Sequence, residues 1–361
     1  MLKGHGGEIF SIARKKGIEP SLLLDFSTNV SPLPLPNGLK ELITANIDQI
    51  QALPEVDSAG LRLALSSRFG LNTENFLVSS GTTHWIYALP RALCPSRIIV
   101  PVPTYSDYVD AATTAGVQVL KIRAWDNGKP VGLRKVLELA VSASRRGDMV
   151  FICNPNNPTG TYASPRIIAD AVRSCPEITW VIDESYAPFI AEDEESSMLF
   201  ETLPDNCLVL RSFSKIFGIP GLRLGYLAGS ARLLEKFDLW IQPWQVNRLA
   251  QIAGEWLLQD NKYSNEVRRF WTLEKRRFLE RVSGCTLIEY VPGETHFMLF
   301  KLKSGWSSEK LCSVLLERNM VIRDCANFQG LDGGDYVRIS LRGADENARL
   351  ASALREVEKV Q

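Results

Sequence analysis

Between about residues 76 and 230, short apolar runs rich in β-branched residues alternate with longer stretches of helical character. That alternation predicts a mainly parallel sheet covered by helices, an α/β fold. The runs place strands at 76–79, 97–102, 118–123, 149–153, 180–183, 207–211 and 224–228. Several are apolar on both faces, as strands of a buried central sheet are. After about residue 265 the texture changes. A charged helical stretch over 266–282 leads into apolar runs at 296–301 and 336–341 and then a final helix, on which Leu350, Leu354 and Val357 share one face. The pattern predicts a large α/β domain over 46–265 and a smaller α+β domain over 266–361. Residues 1–45, with Pro32, Pro34 and Pro36 crowded together, are expected to form an irregular arm packing with the small domain. The acidic run 192–195 reads as a solvated loop, and Trp244 as core or site wall.

Composition narrows the function. Across 361 residues, 41 Lys and Arg balance 41 Asp and Glu, which argues against nucleic acid or an anionic membrane as partner. Seven scattered cysteines, without a C-x-x-C pair or a nearby His cluster, point to buried thiols in a reducing compartment, with neither a disulfide framework nor a metal site. No run approaches a membrane span and the first residues lack a signal-like apolar segment, so a soluble cytoplasmic protein is expected. Neither G-x-x-x-x-G-K-[ST] nor G-x-G-x-x-G after a strand is present, which leaves ordinary nucleotide folds little support.

In α/β sheets ligands collect where strands end and helices begin. Four such places carry suggestive chemistry. Ser79-Ser80-Gly81-Thr82-Thr83 closes a strand and opens a helix, offering backbone N–H groups to a phosphate, although the same residues serve as ordinary helix caps. Asn154-Pro155-Asn156-Asn157-Pro158-Thr159-Gly160 has the prolines and glycine of a plain loop, but its three asparagines can also present amides to a ligand. In Val181-Ile182-Asp183-Glu184-Ser185-Tyr186 a carboxylate ends a buried strand, where it must be paired or functional. Arg211-Ser212-Phe213-Ser214-Lys215, followed by Gly221-Leu222-Arg223-Leu224-Gly225, brings hydroxyls, an amine and a guanidinium together. A lysine in such an anion site can form a Schiff base with a carbonyl.

In this order and spacing the N-P-T-G, D-E-x-[YF] and S-x-[ST]-K…G-x-R-x-G-[YF] elements resemble the fold-type I pyridoxal-phosphate enzymes of the aminotransferase superfamily. The resemblance implies a mainly parallel seven-stranded sheet, bound pyridoxal 5'-phosphate and a homodimer. It places the cofactor on Lys215 and Asp183 on the pyridine nitrogen. Asn157 and Tyr186 are implied at the phenolic oxygen, Tyr105 stacked on the ring, and Ser80, Gly81, Thr82, Ser212, Ser214 and Arg223 at the phosphate. Relatives often carry a tyrosine, whose hydroxyl reaches the neighbouring subunit's cofactor, where this chain has Leu53.

The peripheral segments His5-Gly6-Gly7, 25–33, 243–247, 322–331 and 336–339 resemble a decarboxylating branch of the family that acts on a phosphorylated amino acid. On that likeness Arg338 holds the substrate carboxylate, His5, Gly6, Asn29 and Arg323 hold its phosphate, and Asn157 also faces the substrate. Transamination of a related phosphorylated amine, or a non-catalytic cofactor-binding role, are the alternatives. Cys325, beside one of these segments, reads as packing, since no His-based activation is evident.

Overall fold

Seven strands pair into one sheet in the computed structural model, which describes residues 6–201, 203–259, 262–303, 305–331 and 334–359. They are β1 (Phe76–Ser79), β2 (Ile98–Val102), β3 (Val119–Arg123), β4 (Met149–Cys153), β5 (Thr179–Asp183), β6 (Cys207–Ser212) and β7 (Gly225–Gly229). The order is β1-β7-β6-β5-β4-β2-β3, and only β7 runs antiparallel to its neighbours. Every predicted strand is found within one residue of its expected ends. Arg97 lies just before β2, and its guanidinium pairs with the buried Asp148 at 2.6 Å.

Alternation along each strand feeds two separate cores. On β4, Val150 and Ile152 pack with Ile99, Trp180 and Val209 on one face. Met149, Phe151 and Cys153 pack with Val100, Val181 and Leu208 on the other. With both faces buried, side chains of the sheet interior are apolar, and polar ones gather at the strand ends. Parallel pairing brings the carboxyl ends of β4 and β5 level, with Cys153 opposite Asp183, and Asp183 opposite Leu210 on β6. Helix α1 (Thr82–Leu93) starts directly after β1, and α2 (Asp107–Thr114) lies beyond β2.

A second sheet is wholly antiparallel: β8 (Ile288–Val291), β9 (Phe297–Leu302), β10 (Arg323–Asp324) and β11 (Tyr336–Ser340), in the order β8-β9-β11-β10. Helices α3 (Lys262–Arg281), α4 (Ser308–Glu317) and α5 (Ala344–Lys359) contribute Phe278, Leu311, Leu350, Leu354 and Val357 to its core. No helix among the described residues is long and apolar enough to cross a membrane.

Three expectations are corrected. The arm is not irregular throughout. A helix spans Ile9–Lys16, with three basic residues in its last turn and Gly17 as a left-handed cap, and another spans Leu39–Ala45. Between them Leu24–Asp25 pairs in parallel with Met320–Val321, and Phe26 is buried in the core of the second sheet. Trp244 belongs to neither core nor cavity wall and is 50% exposed.

The acidic run is solvated except at one position: Glu192, Glu194 and Glu195 are exposed, but Asp193 is drawn in. Asp193 bonds Arg211 and lies 3.2 Å from Arg68, while Arg211 also reaches the fully buried Glu184 at 3.2 Å. Cutting Arg211 back to methionine leaves Glu184 a buried charge without its cation, so Arg211→Met is expected to cost about 3–5 kcal/mol in urea unfolding. A loss below about 1 kcal/mol, the range of surface pairs, would show that the network is not needed for folding.

Candidate active site

The polar strand ends converge on a cavity of about 230 Å³. Lys215 sits on the short helix Phe213–Ile216, immediately after β6. Its backbone carbonyl accepts the Ser31 N–H at 2.7 Å, which ties the arm to this turn. The Lys215 amine lies 6.0 Å from the centre of the Tyr186 ring. Burial, then the nearby Arg338 and Arg223 guanidiniums, lower its pKa from 10.5 to about 8, against the pull of Asp183.

Asp183, the last residue of β5, is buried and doubly held. The Tyr108 hydroxyl donates to Oδ2 at 2.7 Å, and the Ser185 N–H donates to Oδ1 at 2.9 Å. Tyr108 is fixed in turn by stacking on Phe151, with ring centres 4.9 Å apart. Its hydroxyl is pushed well above its ordinary range by burial and by Asp183, so it remains a donor to the carboxylate. Tyr105 also lines the cavity, and its hydroxyl donates to Asp107 at 2.7 Å. Cys153 faces the same space, but burial and Asp183 push its thiol up to about 12, which makes it inert. Cys325 is likewise buried and held near 12, in keeping with packing.

At one end Gly81, Thr82, Thr83, Ser212, Ser214 and Arg223 contribute to the wall. Arg223 adopts a left-handed backbone, φ 57°, and donates to the Pro220 carbonyl at 3.2 Å. Its guanidinium lies against Gly81, φ 89°, where any Cβ would collide with Nη2. Glycine is therefore required at 81 for the arginine to approach the start of α1. Backbone donors, hydroxyls and a guanidinium at a helix start suit a phosphate. Ser80, expected here, is exposed and not part of the wall, because the turn points it outward.

The other end centres on Arg338, on β11 and 3% exposed. Nη1 donates to Asn157 Oδ1, Nη2 donates to the Ser27 carbonyl at 2.6 Å, and the buried Nε finds no hydrogen-bond partner among the described residues. A buried guanidinium with a spare donor calls for an anion. Asn29 donates to the Tyr186 hydroxyl at 3.4 Å and accepts from Ser340. Gly6 and Asn29 both line this part of the cavity.

Of the three asparagines on the N-P-T-G loop only Asn157 faces the cavity. Asn154 closes a two-way bond with Ala163, and Asn156 is spent on Pro103, Thr104 and Thr159. Arg323 lies on β10 directly opposite Arg338, but its guanidinium turns to Asn327 at 2.6 Å and it does not line the cavity. His5 lies outside the described residues. The remaining expected residues all line one space. Tyr108, Ser185, Ser27 and Thr28 join them without having been singled out individually. Tyr108 reads as core from the sequence because it shares a helix face with Ala111 and Ala112.

Pyridoxal phosphate fits this donor set. Lys215 provides an amine with a lowered pKa, Asp183 a fixed carboxylate for the pyridine nitrogen, and Tyr105 a ring beside them. Arg223 and its neighbours provide a phosphate cradle that a Cβ at Gly81 would fill.

The family model for aminotransferase class I and II matches residues 23–354. The threonine-phosphate decarboxylase of Salmonella typhimurium is 33% identical over 98% of this chain and 96% of its own. Among solved structures, L-threonine-O-3-phosphate decarboxylase from Porphyromonas gingivalis superposes with a TM-score of 0.82 at 28% identity, covering 93% of this chain and 100% of that one. Histidinol-phosphate aminotransferase from Clostridium acetobutylicum superposes with a TM-score of 0.84 at 26% identity, covering 94% and 100%. With this match, and with the cofactor's donor set assembled in one cavity, the chain belongs to the class I and II aminotransferase family of pyridoxal-phosphate enzymes.

Proposed function

We propose that the protein decarboxylates L-threonine O-3-phosphate to (R)-1-aminopropan-2-yl phosphate, the linker of the cobalamin nucleotide loop. The observation that carries this reading is the buried Arg338 on the cavity wall, whose Nε lacks a hydrogen-bond partner among the described residues. A substrate carboxylate matches that cation, and Gly6 and Asn29 line the same part of the cavity for a substrate phosphate. The likeness to the Salmonella typhimurium decarboxylase along nearly the whole chain supports the same choice.

Bound pyridoxal phosphate supplies an electron-accepting ring, the chemistry shared by decarboxylation and transamination. The chain's own groups decide which bond is exposed to it. Arg338, braced by Asn157 and by the Ser27 carbonyl, orients the carboxylate in two directions at once. Asp183, held in place by the Tyr108 hydroxyl, would pair with the pyridine nitrogen. The Lys215 amine, with its pKa near 8, can both give and take a proton close to neutral pH at the substrate's α-carbon. Gly6 and Asn29, with His5, would hold the substrate phosphate, joined by Arg323 once its guanidinium turns from Asn327, and the binding energy of that group helps hold the reacting bond in place.

The division into 46–265 and 266–361 and the homodimer belong to the same proposal. Exposed Leu53, Val56 and Trp244 support the dimer, with the Trp244 N–H bonded to the Val56 carbonyl. Histidinol-phosphate transamination is the second reading, favoured by the structural likeness to the Clostridium acetobutylicum enzyme.

Products formed from threonine phosphate, serine phosphate and histidinol phosphate, with and without a keto-acid acceptor, test the choice. Carbon dioxide released from threonine phosphate without an acceptor is expected. Turnover that depends on an acceptor, with histidinol phosphate preferred, would replace decarboxylation by the second reading.

A further inference from the structure

Arg338 is held from two sides, and one of its two partners is a backbone carbonyl rather than a side chain. A carbonyl can orient a guanidinium only if its own peptide is fixed. The peptide in question joins Ser27 to Thr28, in a stretch of the arm without helix or strand, and is held through the groups on either side of it.

Asp25 fixes it. Oδ1 accepts both the Ser27 N–H at 2.8 Å and the Ser27 hydroxyl at 2.6 Å, and Oδ2 accepts the Thr28 hydroxyl at 2.6 Å. Asp25 is itself anchored, since residues 24 and 25 pair with Met320–Val321 and the Asp25 carbonyl accepts from Arg342 at 3.3 Å. The neighbouring Phe26 bonds Val321 and Ser340 through its backbone, 2.8 Å each. Pairing with residues 320–321 and the bond from Ser340 to Phe26 thus hold the Asp25 backbone, its carboxylate holds Ser27, and Ser27 holds Arg338.

The same serine also meets the start of the chain. Its hydroxyl accepts the Gly7 N–H at 2.9 Å, and a Cβ at Gly6 would stand 2.7 Å from its carbonyl oxygen. The arm is therefore packed against the peptide that orients Arg338.

We propose that Asp25 is a positioning residue for carboxylate recognition, acting through the Ser27 peptide on Arg338. Asp25 does not line the cavity. The inference rests on the reading of Arg338 as the substrate's carboxylate ligand.

The test compares two ligands that differ only in the carboxylate, O-phospho-L-threonine and 1-aminopropan-2-yl phosphate, in rapid-mixing absorbance titrations of the holoenzyme. In Asp25→Ala the affinity for the amino acid is expected to fall about tenfold, while that for the amine changes less than about twofold. Asp25→Asn keeps an oxygen for the Ser27 N–H and is expected to recover most of the loss, which also covers the case in which the alanine variant does not fold. Equal losses for both ligands, or no loss in either, would overturn the proposal. Wild-type protein that gains nothing from the carboxylate would overturn the Arg338 reading and the proposal together. A wild-type preference that survives in Asp25→Ala would remove the proposal alone.

Discussion

Replacing Lys215 by alanine is expected to lower turnover of O-phospho-L-threonine by at least about 10⁴-fold, the upper range of what a positioned proton-transfer group contributes. The long-wavelength absorbance of the lysine-linked cofactor is expected to disappear with it. Lys215 is the only amine among the described residues lining the cavity, so no neighbour can take its place. Arginine should not rescue, because a guanidinium stays protonated throughout the working range. The pH behaviour follows from the amine's pKa near 8. Below that value the amine is mostly protonated, so the rate of cofactor capture by cofactor-free protein is expected to rise about tenfold per pH unit up to about 8 and then level off. The same shift carries a stability sign. An unfolded chain protonates this lysine near its usual 10.5, whereas the folded chain resists protonation down to about 8. Stability therefore rises with pH between those two values, and the penalty is complete below the lower one. Cofactor-free Lys215→Met is accordingly expected to melt higher than cofactor-free wild type at pH 7. Turnover retained by Lys215→Ala would remove the lysine from the reaction.

The strands were legible because burial on both faces leaves little but apolar residues in them, so β4 and β5 stand out as Met149–Cys153 and Thr179–Asp183. Most of the cavity was legible for the converse reason: Asp183, Asn157 and Lys215 are polar residues placed where such runs stop. What escaped depends on neighbours distant in sequence. Tyr108 acts on Asp183 across 75 positions, and its own surroundings give no hint of that bond. Asn154 and Asn156 look equivalent to Asn157, and only their spatial neighbours show that two of the three hold the loop. The acidic run carries no local sign of the arginines it binds, since Arg68 precedes it by 125 residues and Arg211 follows it by 18. In the arm the crowded prolines signal irregular chain, while Ile9, Ile12 and Ala13 have the spacing of one helix face.

Arg338→Lys is expected to lower kcat/KM for O-phospho-L-threonine at least about 30-fold, the low end of the 2–5 kcal/mol cost of truncating one member of a buried hydrogen-bonded charge pair. The substitution keeps a positive charge, so the loss isolates geometry. A lysine can offer its ammonium as a point donor, but cannot reach Asn157, the Ser27 carbonyl and a carboxylate together from one rigid plane. Whichever of the two protein acceptors is abandoned becomes a buried oxygen without a donor. Affinity for 1-aminopropan-2-yl phosphate, which lacks the carboxylate, is expected to change less than about twofold. Reaction choice is expected to move as well. Decarboxylation requires the bond from the α-carbon to the carboxylate to stand across the plane of the cofactor, and transamination requires the bond to hydrogen there instead. Once the carboxylate is no longer clamped, the two bonds compete for that orientation, and the acceptor-dependent share of turnover should rise as carbon dioxide release falls. Measuring both products in the same reaction separates this from a simple loss of affinity, which would lower both in proportion. A proportional fall, or an unchanged kcat/KM, would show that Arg338 does not select the bond, and the choice between the two reactions would then have to come from the groups assigned to the substrate phosphate.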